Sequence, residues 1–245
     1  DQIKSRYVGS GARTDRIPLH TLNWNLDEMS AMLAERLKAY SPGNVWSLNS
    51  FLDEGLNYDL HKLVCILAVG SPRDMILVSK FIADEQTRVK NEAGSLDRRV
   101  IAQGIKTFSE QRVSEMYGAN VEDLLRVGLA GFTISKLASY IFRIKASAVS
   151  RKIQIWTDQG AVFRTGEVPT PGARPQNLYS LADPKLAIAV KPRIPVESVL
   201  ERNLHVCRGC DSLTIFEEED ANVCANCQTI IDPRNSVFKV VAPTL

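Results

Sequence analysis

The stretch AVSRKIQIWTDQGAVFRTGEV, residues 148–168, changes its hydrophobic period in the middle. Up to Gly160, the apolar residues Val149, Ile153 and Trp156 recur every three or four positions, which is typical of the buried face of a helix. After Gly160 the apolar residues alternate with polar ones, which is typical of a strand. The stretch therefore predicts a helix that ends at Gly160 and leads directly into a β-strand.

The flanking segments extend this pattern over residues 121–191. VEDLLRVGLA and ISKLASYIF predict two preceding helices, with RIKAS as the turn before the third, and we expect Tyr140, Phe142 and Trp156 in the core. NLYSLAD predicts a second strand after the loop PTPGARPQ. Two helices, a turn, a third helix and a two-stranded wing are the elements of a winged helix-turn-helix.

Such a domain presents its third helix to the major groove of DNA and its wing to backbone phosphates. No acidic residue lies between Arg143 and Lys152, which favours an anionic partner. Protein contact or a scaffold role is the alternative, because the net charge of the chain is only +2. The predicted DNA-binding residues are Lys145 just before the helix, Ser147, Ser150, Arg151, Lys152 and Gln154 on the helix, and Arg164 and Arg174 on the wing.

Four of the five cysteines form two CxxC pairs in CRGCDSLTIFEEEDANVCANC. A CxxC turn brings two thiolates to one cation, and the intervening stretch has the length of a hairpin. The spacing predicts a structural tetrahedral Zn²⁺ in a module over 204–245 that resembles a zinc ribbon, with an iron–sulfur cluster, a redox dithiol or no metal as alternatives. The predicted ligands are Cys207, Cys210, Cys224 and Cys227.

The remaining features of this region concern compartment and partners. Paired cysteines without a disulfide framework indicate a reducing compartment, so we expect a cytoplasmic protein, with no apolar run long enough for a membrane. The acidic run at 217–220 would repel phosphates, so this edge is expected to face either a protein partner or solvent. Cys65, inside the apolar run LVCILAV, is expected to be a buried core residue.

The first half of the chain predicts helices. After an irregular segment over 1–16, residues 17–92 read as a helical bundle, followed by a connecting helical segment over 93–120, and a linker is expected over 192–203. Asn25 and Glu28 fit a capping box at the start of LDEMSAMLAERLKAY. The apolar stripes expected to be buried are Leu26, Met29, Leu33, Leu37 and Tyr40, and Ile101, Ile105, Phe108 and Met116.

Another helix begins at GSPRD, residues 70–74, with an arginine in its first turn. Ser71 fits the N-cap, Pro72 fits the first helical position, and Asp74 fits a capping box with Ser71. A cation here opposes the helix dipole, at a cost of about 0.3–1 kcal/mol. Arg73 is therefore either directed at an external anion or paired with an acidic neighbour; the candidate neighbours are Asp74, Asp53 and Glu54.

IPLHTLNWNLDEMSAMLAERLKAY and GSPRDMILVSKFIADEQ together resemble the C-terminal lid of AAA+ and STAND-type P-loop ATPases, closest to the origin-recognition and archaeal-initiator group. The resemblance implies that Ile17 and Leu19 lie in the segment that leaves the ATPase core. It also implies that Arg73 is the sensor-2 arginine, which reaches the γ-phosphate of the nucleotide. A winged helix after the lid is common in this family, so the likeness spans 17–190 and leaves the zinc module outside.

The chain has no GxxxxGK[ST] loop, so no catalytic residue is predicted and ATP is expected only through a missing N-terminal core, in the same parent chain or a partner subunit. Because the chain begins at Asp1 without methionine, we expect a piece of a longer polypeptide. The expected fold is mainly α: a helical lid bundle, a winged helix-turn-helix and a small C-terminal β zinc ribbon. The expected function is the regulatory and interaction region of such an ATPase, which binds double-stranded DNA or a protein. The alternatives are a non-enzymatic winged-helix DNA-binding regulator and a scaffold subunit that binds protein through the zinc ribbon.

Overall fold

The described part of the computed structural model is mainly helical, with two small antiparallel two-stranded sheets. None of the helices in the described part of the chain is long and apolar enough to cross a lipid bilayer. The structure describes residues 24–56, 59–90, 94–170, 172, 174–190, 196–207, 209, 213–215, 224, 227 and 229–231.

Three helices and a short 3₁₀ turn form the first part of the described chain. They are α1 (Leu26–Tyr40), the 3₁₀ turn Leu48–Phe51, α2 (Leu60–Leu67) and α3 (Pro72–Lys90). The predicted capping box at Asn25 and Glu28 is confirmed, because each side chain accepts the backbone N–H of the other, at 2.8 and 3.0 Å. Met29 and Leu33 are buried as expected, whereas Tyr40 is 86% exposed because α1 extends past the core at its last turn.

Helix α4 (Arg98–Tyr117) packs along α3 at a close crossing. A Cβ atom at Gly104 would lie 2.7 Å from the Cα atom of Ile82, so glycine is what lets the two backbones approach. Ile101, Ile105 and Phe108 are buried as predicted. The prediction for Met116 is wrong: its side chain is 39% exposed, one turn beyond the packed part of α4.

We expect Gly104→Ala to destabilise the protein by about 1–3 kcal/mol, because the helices must separate to admit the methyl group. The sign of the change in stability is informative, because the higher helix propensity of alanine alone would stabilise the protein by about 1 kcal/mol. The control is Gly43→Ala, where a Cβ atom meets no atom within 4 Å. Urea unfolding measures both variants, and a Gly104→Ala protein as stable as the parent would contradict the close crossing.

The chain continues through a 3₁₀ turn (Gly118–Asn120) and α5 (Val121–Val127) into a helix–turn–helix–hairpin arrangement. Helix α6 (Ile134–Lys136) continues as a π-helical turn (Leu137–Phe142), and α7 (Ala146–Asp158) follows. Strands β1 (Val162–Val168) and β2 (Gln176–Leu181) pair antiparallel, with Val162 opposite Leu181 and a bulge between Arg164 and Gly166. The helix and the two strands predicted around Gly160 are therefore confirmed.

The core of this region has Trp156 at its centre. Val149, Ile153 and Trp156 are buried as predicted, and the ring of Phe142 is half-buried at 6.1 Å from that of Trp156. The prediction for Tyr140 is wrong, because its side chain is 78% exposed. A π-helical turn has more residues per turn than the 3.6 of an α-helix. The α-helical period assumed for Tyr140 therefore assigns its side chain to the wrong face of the helix.

After the hairpin the chain returns to α4. Helix α8 (Pro184–Val190) packs on α4 and α5, and α9 (Val196–Asn203) packs on α4 and α8. Much of the segment predicted as a linker over 192–203 is thus a packed helix. Strands β3 (Leu204–Val206) and β4 (Leu213–Ile215) form the second antiparallel pair, and one continuous hydrophobic core extends from Met29 to Ile215.

A buried polar network joins three distant parts of the chain. The Lys185 ammonium lies 3.0 Å from the Asp183 carboxylate, with side chains only 1% and 5% exposed, and it also donates to the Leu67 carbonyl at 3.4 Å. The Tyr117 hydroxyl donates to Asp183 at 2.7 Å, and burial raises the pKa of Tyr117 well above its ordinary value. The network therefore connects α2, α4 and α8 inside the core.

Candidate metal centre and nucleic-acid interface

Three cysteines meet beside the β3–β4 hairpin. The sulfur atoms of Cys207, Cys224 and Cys227 all lie within 4.8 Å of one another, and those of Cys207 and Cys227 are 3.4 Å apart. Cys207 and Cys224 are buried and Cys227 is exposed. These three residues lie close enough to bind one metal ion, while Cys210 lies outside the described residues.

The surrounding backbone fits thiolate ligands. Two sulfurs bound to one tetrahedral Zn²⁺ lie about 3.8 Å apart when each Zn–S bond is about 2.3 Å. The Cys207 and Cys227 sulfurs, 3.4 Å apart, are close to this distance. The Gly209 N–H donates to the Cys207 sulfur at 3.3 Å, and such a bond favours the negatively charged form. A Cβ atom at Gly209 would lie 2.9 Å from Thr229 Oγ1 and 3.4 Å from the Cys227 sulfur, so the turn closes around the cluster.

Cys65 has the opposite environment. It is buried in the helical core as predicted, with its sulfur 3.9 Å from that of Met75. Burial, with a smaller effect of Asp59, raises the pKa of Cys65 to about 12, so its thiol stays neutral. Cys65 is therefore a packing residue and lies apart from the three clustered cysteines.

Helix α7 carries most of the predicted DNA-binding residues, and its inner face is fixed by the three core residues of that helix. The outer residues that are exposed are Lys145, Ser147, Ser150, Arg151 and Gln154. Neither Lys145 nor Arg151 forms an ion pair with any residue that the structure describes. Gln154 is partly engaged, because its amide donates to Asp158 at 2.8 Å.

Lys152 and the two wing arginines have other surroundings. Lys152 is half-buried and forms an ion pair with Asp123, so it joins α7 to α5. Arg164 is exposed but pairs with Glu167 on its own strand. Arg174 is exposed and lies two residues before β2. Among the predicted DNA-binding cations, those that are exposed and form no ion pair with the described residues are therefore Lys145, Arg151 and Arg174.

Sequence reasoning missed a single-residue β-bridge in this region. Phe132 and Tyr179 form an isolated antiparallel bridge with two backbone hydrogen bonds of 2.9 Å, and their rings stack at 6.1 Å. The bridge ties the segment between α5 and α6 to β2. One apolar residue between Gly131 and Thr133 is too short a signal for a strand, so the pairing is visible only in three dimensions.

Arg73 is exposed in the first turn of α3 and forms no hydrogen bond or ion pair with the described residues. The Ser71 hydroxyl accepts the Asp74 N–H at 3.2 Å, which confirms the N-cap. The predicted capping role of the Asp74 carboxylate is wrong: it is buried and pairs with Arg112 at 3.0 Å. Ion pairing of Arg73 with Asp74, Asp53 or Glu54 is likewise not seen in the described part of the chain.

The turn that places Arg73 is strained. Val69 and Gly70 both have a positive φ, of 48° and 70°, and such a φ is unfavourable for a β-branched residue. Glu115 lies within electrostatic range: hydrogen bonds from Gln111 and then Arg112 lower its pKa, and the charge of Arg73 adds a smaller effect. Ile17 and Leu19, the other residues of the lid resemblance, lie outside the described residues.

Comparison of the chain with protein-family models and with curated proteins finds no significant match. Function is therefore inferred from the geometry of these two regions.

Proposed function

We propose that residues 121–191 are a winged helix-turn-helix that binds double-stranded DNA through the N-terminal half of α7. The observation that carries this proposal is the division of α7 into a fixed inner face and an outer face with exposed polar and basic side chains. A recognition helix uses its first turns to contact base edges while neighbouring residues contact phosphates. Arg151 lies in this part of the helix, Lys145 is its N-cap residue, and neither forms an ion pair with the described residues.

The hairpin supports the same proposal. In a winged helix the segment between the first two helices adds a short strand to the wing, and the Phe132–Tyr179 bridge has this position. The bridge, together with the Lys152–Asp123 ion pair, fixes the orientation of α7 relative to the hairpin. Lys152 is then a positioning residue, and the DNA-contacting role falls first on Lys145 and Arg151.

The test is the affinity for a 20-base-pair duplex of mixed sequence at several salt concentrations. We expect Arg151→Ala to weaken binding about fivefold and to reduce the slope of log affinity against log salt by about 1, since one phosphate contact is lost. The matched control is Arg36→Ala, an exposed arginine on α1. Equal affinities and slopes for the Arg151→Ala protein and the parent would reject this surface and leave the scaffold alternative.

We further propose that residues 24–90 belong to an ATPase-type lid in which Arg73 reaches a phosphate held by a core outside this chain. Three observations support this second role. Arg73 is exposed and unpaired among the described residues, its expected partner Asp74 is occupied by Arg112, and the preceding turn holds a strained Val69. Strained backbone persists where surrounding structure enforces it, and such residues cluster at functional sites.

This role predicts an unusual stability effect. We expect Arg73→Ala to leave the protein as stable as the parent or more stable by about 0.3–1 kcal/mol at low salt, because the cation opposes the helix dipole. The comparison variant is Arg112→Ala, which breaks the buried pair with Asp74 and must destabilise. Thermal unfolding measures both, and a clear loss of stability in Arg73→Ala would assign that residue a structural role instead.

For the metal centre we propose Zn²⁺ in a ribbon-like module, with Cys210 as the fourth ligand beside Cys207, Cys224 and Cys227. Four thiolates leave no open position for water, so the metal would hold the fold together and carry no catalysis. An iron–sulfur cluster would instead give visible absorption. The predicted protein partner at this module involves the acidic run at 217–220, which lies outside the described residues.

A further inference from the structure

The turn between α6 and α7 has an irregular backbone. The π-helical turn Leu137–Phe142 ends at Arg143, whose φ of 55° and ψ of 46° are left-handed. The N–H groups of Arg143 and Ile144 both donate to the Ala138 carbonyl, the second at 3.1 Å. This left-handed cap ends the helix before α7 begins at Ala146.

Arginine is an unusual residue for this backbone. A left-handed conformation brings the Cβ atom close to the following carbonyl oxygen, so glycine or asparagine is usual where a helix ends in this way. Among the residues that the structure describes, the only ones other than glycine with a positive φ are Asn44, Val69 and Arg143. Because glycine would form the same turn with less strain, the benefit of arginine at this position must come from its side chain.

The turn is held by contacts from two neighbouring helices. The Arg126 guanidinium on α5 donates to the Ile141 carbonyl at 2.7 Å and lies over the Phe142 ring, 5.0 Å from its centroid. The Phe142 ring also packs against Trp156 of α7. Strained backbone persists where the surrounding structure enforces it, and such residues cluster at functional sites.

The Arg143 side chain is available to a ligand. Residues 143–148 are all exposed, and the Arg143 guanidinium forms no hydrogen bond or ion pair with any residue that the structure describes. Residues 124–157 contain no acidic residue and six cationic ones, so the partner that this part of the surface favours is an anion. These cationic residues are Arg126, Lys136, Arg143, Lys145, Arg151 and Lys152.

The position of Arg143 relative to α7 indicates which part of a duplex it would meet. It lies three residues before Ala146, the first residue of α7, so the two Cα atoms are at most about 11 Å apart. An α-helix with its side chains is about 10–12 Å across and fills the major groove, which is about 12 Å wide. A residue just beyond the N-terminal end of that helix is therefore at the edge of the groove, where the phosphates lie.

We propose that Arg143 is a phosphate-contacting residue that anchors the turn before α7 to the DNA backbone. This inference rests on the proposed binding of double-stranded DNA by α7 and adds a contact outside that helix. A guanidinium can donate two parallel hydrogen bonds to one phosphate. Such a contact fixes the register of the recognition helix on the duplex and carries no sequence information of its own.

The test is the affinity of the full chain for two 20-base-pair duplexes, one GC-rich and one AT-rich, at several salt concentrations. We expect Arg143→Gly to reduce the slope of log affinity against log salt by about 0.9. Binding at about 0.1 M salt should weaken about five- to tenfold, equally on both duplexes, because one phosphate contact is lost. Arg143→Lys should keep the slope of the parent, because its charge is unchanged.

The stability of the same variant separates a binding role from a structural one. The urea midpoint of Arg143→Gly should equal or exceed that of the parent, because glycine accepts a left-handed φ without strain. The matched control is Val69→Gly, which makes the same kind of backbone change at a φ of 48° on the turn before α3. It should bind both duplexes as the parent does.

The possible results distinguish this inference from the DNA-binding proposal. If Arg143→Gly binds as the parent does and Arg151→Ala binds more weakly, the phosphate contact is rejected and the DNA-binding proposal stands. A loss on one duplex only would assign Arg143 a base contact, and a lower urea midpoint would assign it a structural role; each would overturn the inference. A parent protein that binds neither duplex would overturn both proposals together.

Discussion

Removal of the proposed zinc ion is expected to unfold the module that contains Cys207, Cys224 and Cys227 while the helical core stays folded. Among the described residues, the buried group at the cysteines consists of Cys207, Cys224 and Ile231, and a group of this size is far too little apolar surface to fold without a metal. Binding of zinc by such sites contributes about 10–16 kcal/mol in apparent terms, so its loss is decisive for the module.

The measurement is amide hydrogen exchange with and without a chelator, together with the zinc content of the purified protein. Protection should be lost at Gly209 and Cys224, whose N–H groups bond to a sulfur and to the Thr229 carbonyl, and kept in α4. Cys224→Ser should bind far less zinc, whereas Cys65→Ala should still bind one zinc per chain. Protection that survives chelation, or a Cys224→Ser protein that retains full zinc, would contradict the assignment.

Replacement of Asp183 by alanine is expected to destabilise the helical core by about 3–5 kcal/mol. The change leaves the Lys185 ammonium buried with only the Leu67 carbonyl at 3.4 Å, and it removes the acceptor of the Tyr117 hydroxyl. An unpaired charge in a side chain that is 1% exposed has no access to water, so the cost is far above that of a surface pair.

Two comparisons test this explanation by urea unfolding. The double variant Asp183→Asn/Lys185→Met removes both charges, and we expect it to recover most of the lost stability. Asp84→Ala breaks the exposed pair with Lys80, whose side chains are 58% and 64% exposed, and should cost below about 1 kcal/mol. If Asp183→Ala costs no more than Asp84→Ala, the buried pair is not a stabilising element.

The sequence predicted the elements of the fold well because most of them have regular signals. Capping residues identified the starts of α1 and α3, and the change of period at Gly160 identified α7 and β1. The errors at Tyr40 and Met116 lie at helix ends, where periodicity continues but the core does not. Gly104 is unfavourable inside a helix, and only the structure shows that it lets a second helix approach closely.

The candidate sites were only partly accessible to sequence reasoning. The CxxC pairs fix the ligand types locally, so three predicted ligands come together as expected, whereas Cys210 lies outside the described residues. Lys152 and Arg151 are adjacent cations that the sequence does not distinguish. Only the structure shows that Lys152 forms an ion pair with Asp123 on α5, whereas Arg151 does not. In the sequence, Asp183 and Lys185 have the pattern of an ordinary polar turn. Their burial depends on α4, which lies some 70 positions earlier, so the local sequence does not indicate it.

The return of α8 and α9 to α4 also has a consequence for synthesis on the ribosome. The apolar face of α4 is complete at Tyr117, but α8, which covers part of it, is centred on Ala187, about 70 residues later. At a translation rate of about 5–20 residues per second, the growing chain waits about 4–14 s for this cover. During that interval the part of α4 that later packs on α8 lacks its cover, so we expect chaperones to bind the nascent chain before α8 emerges.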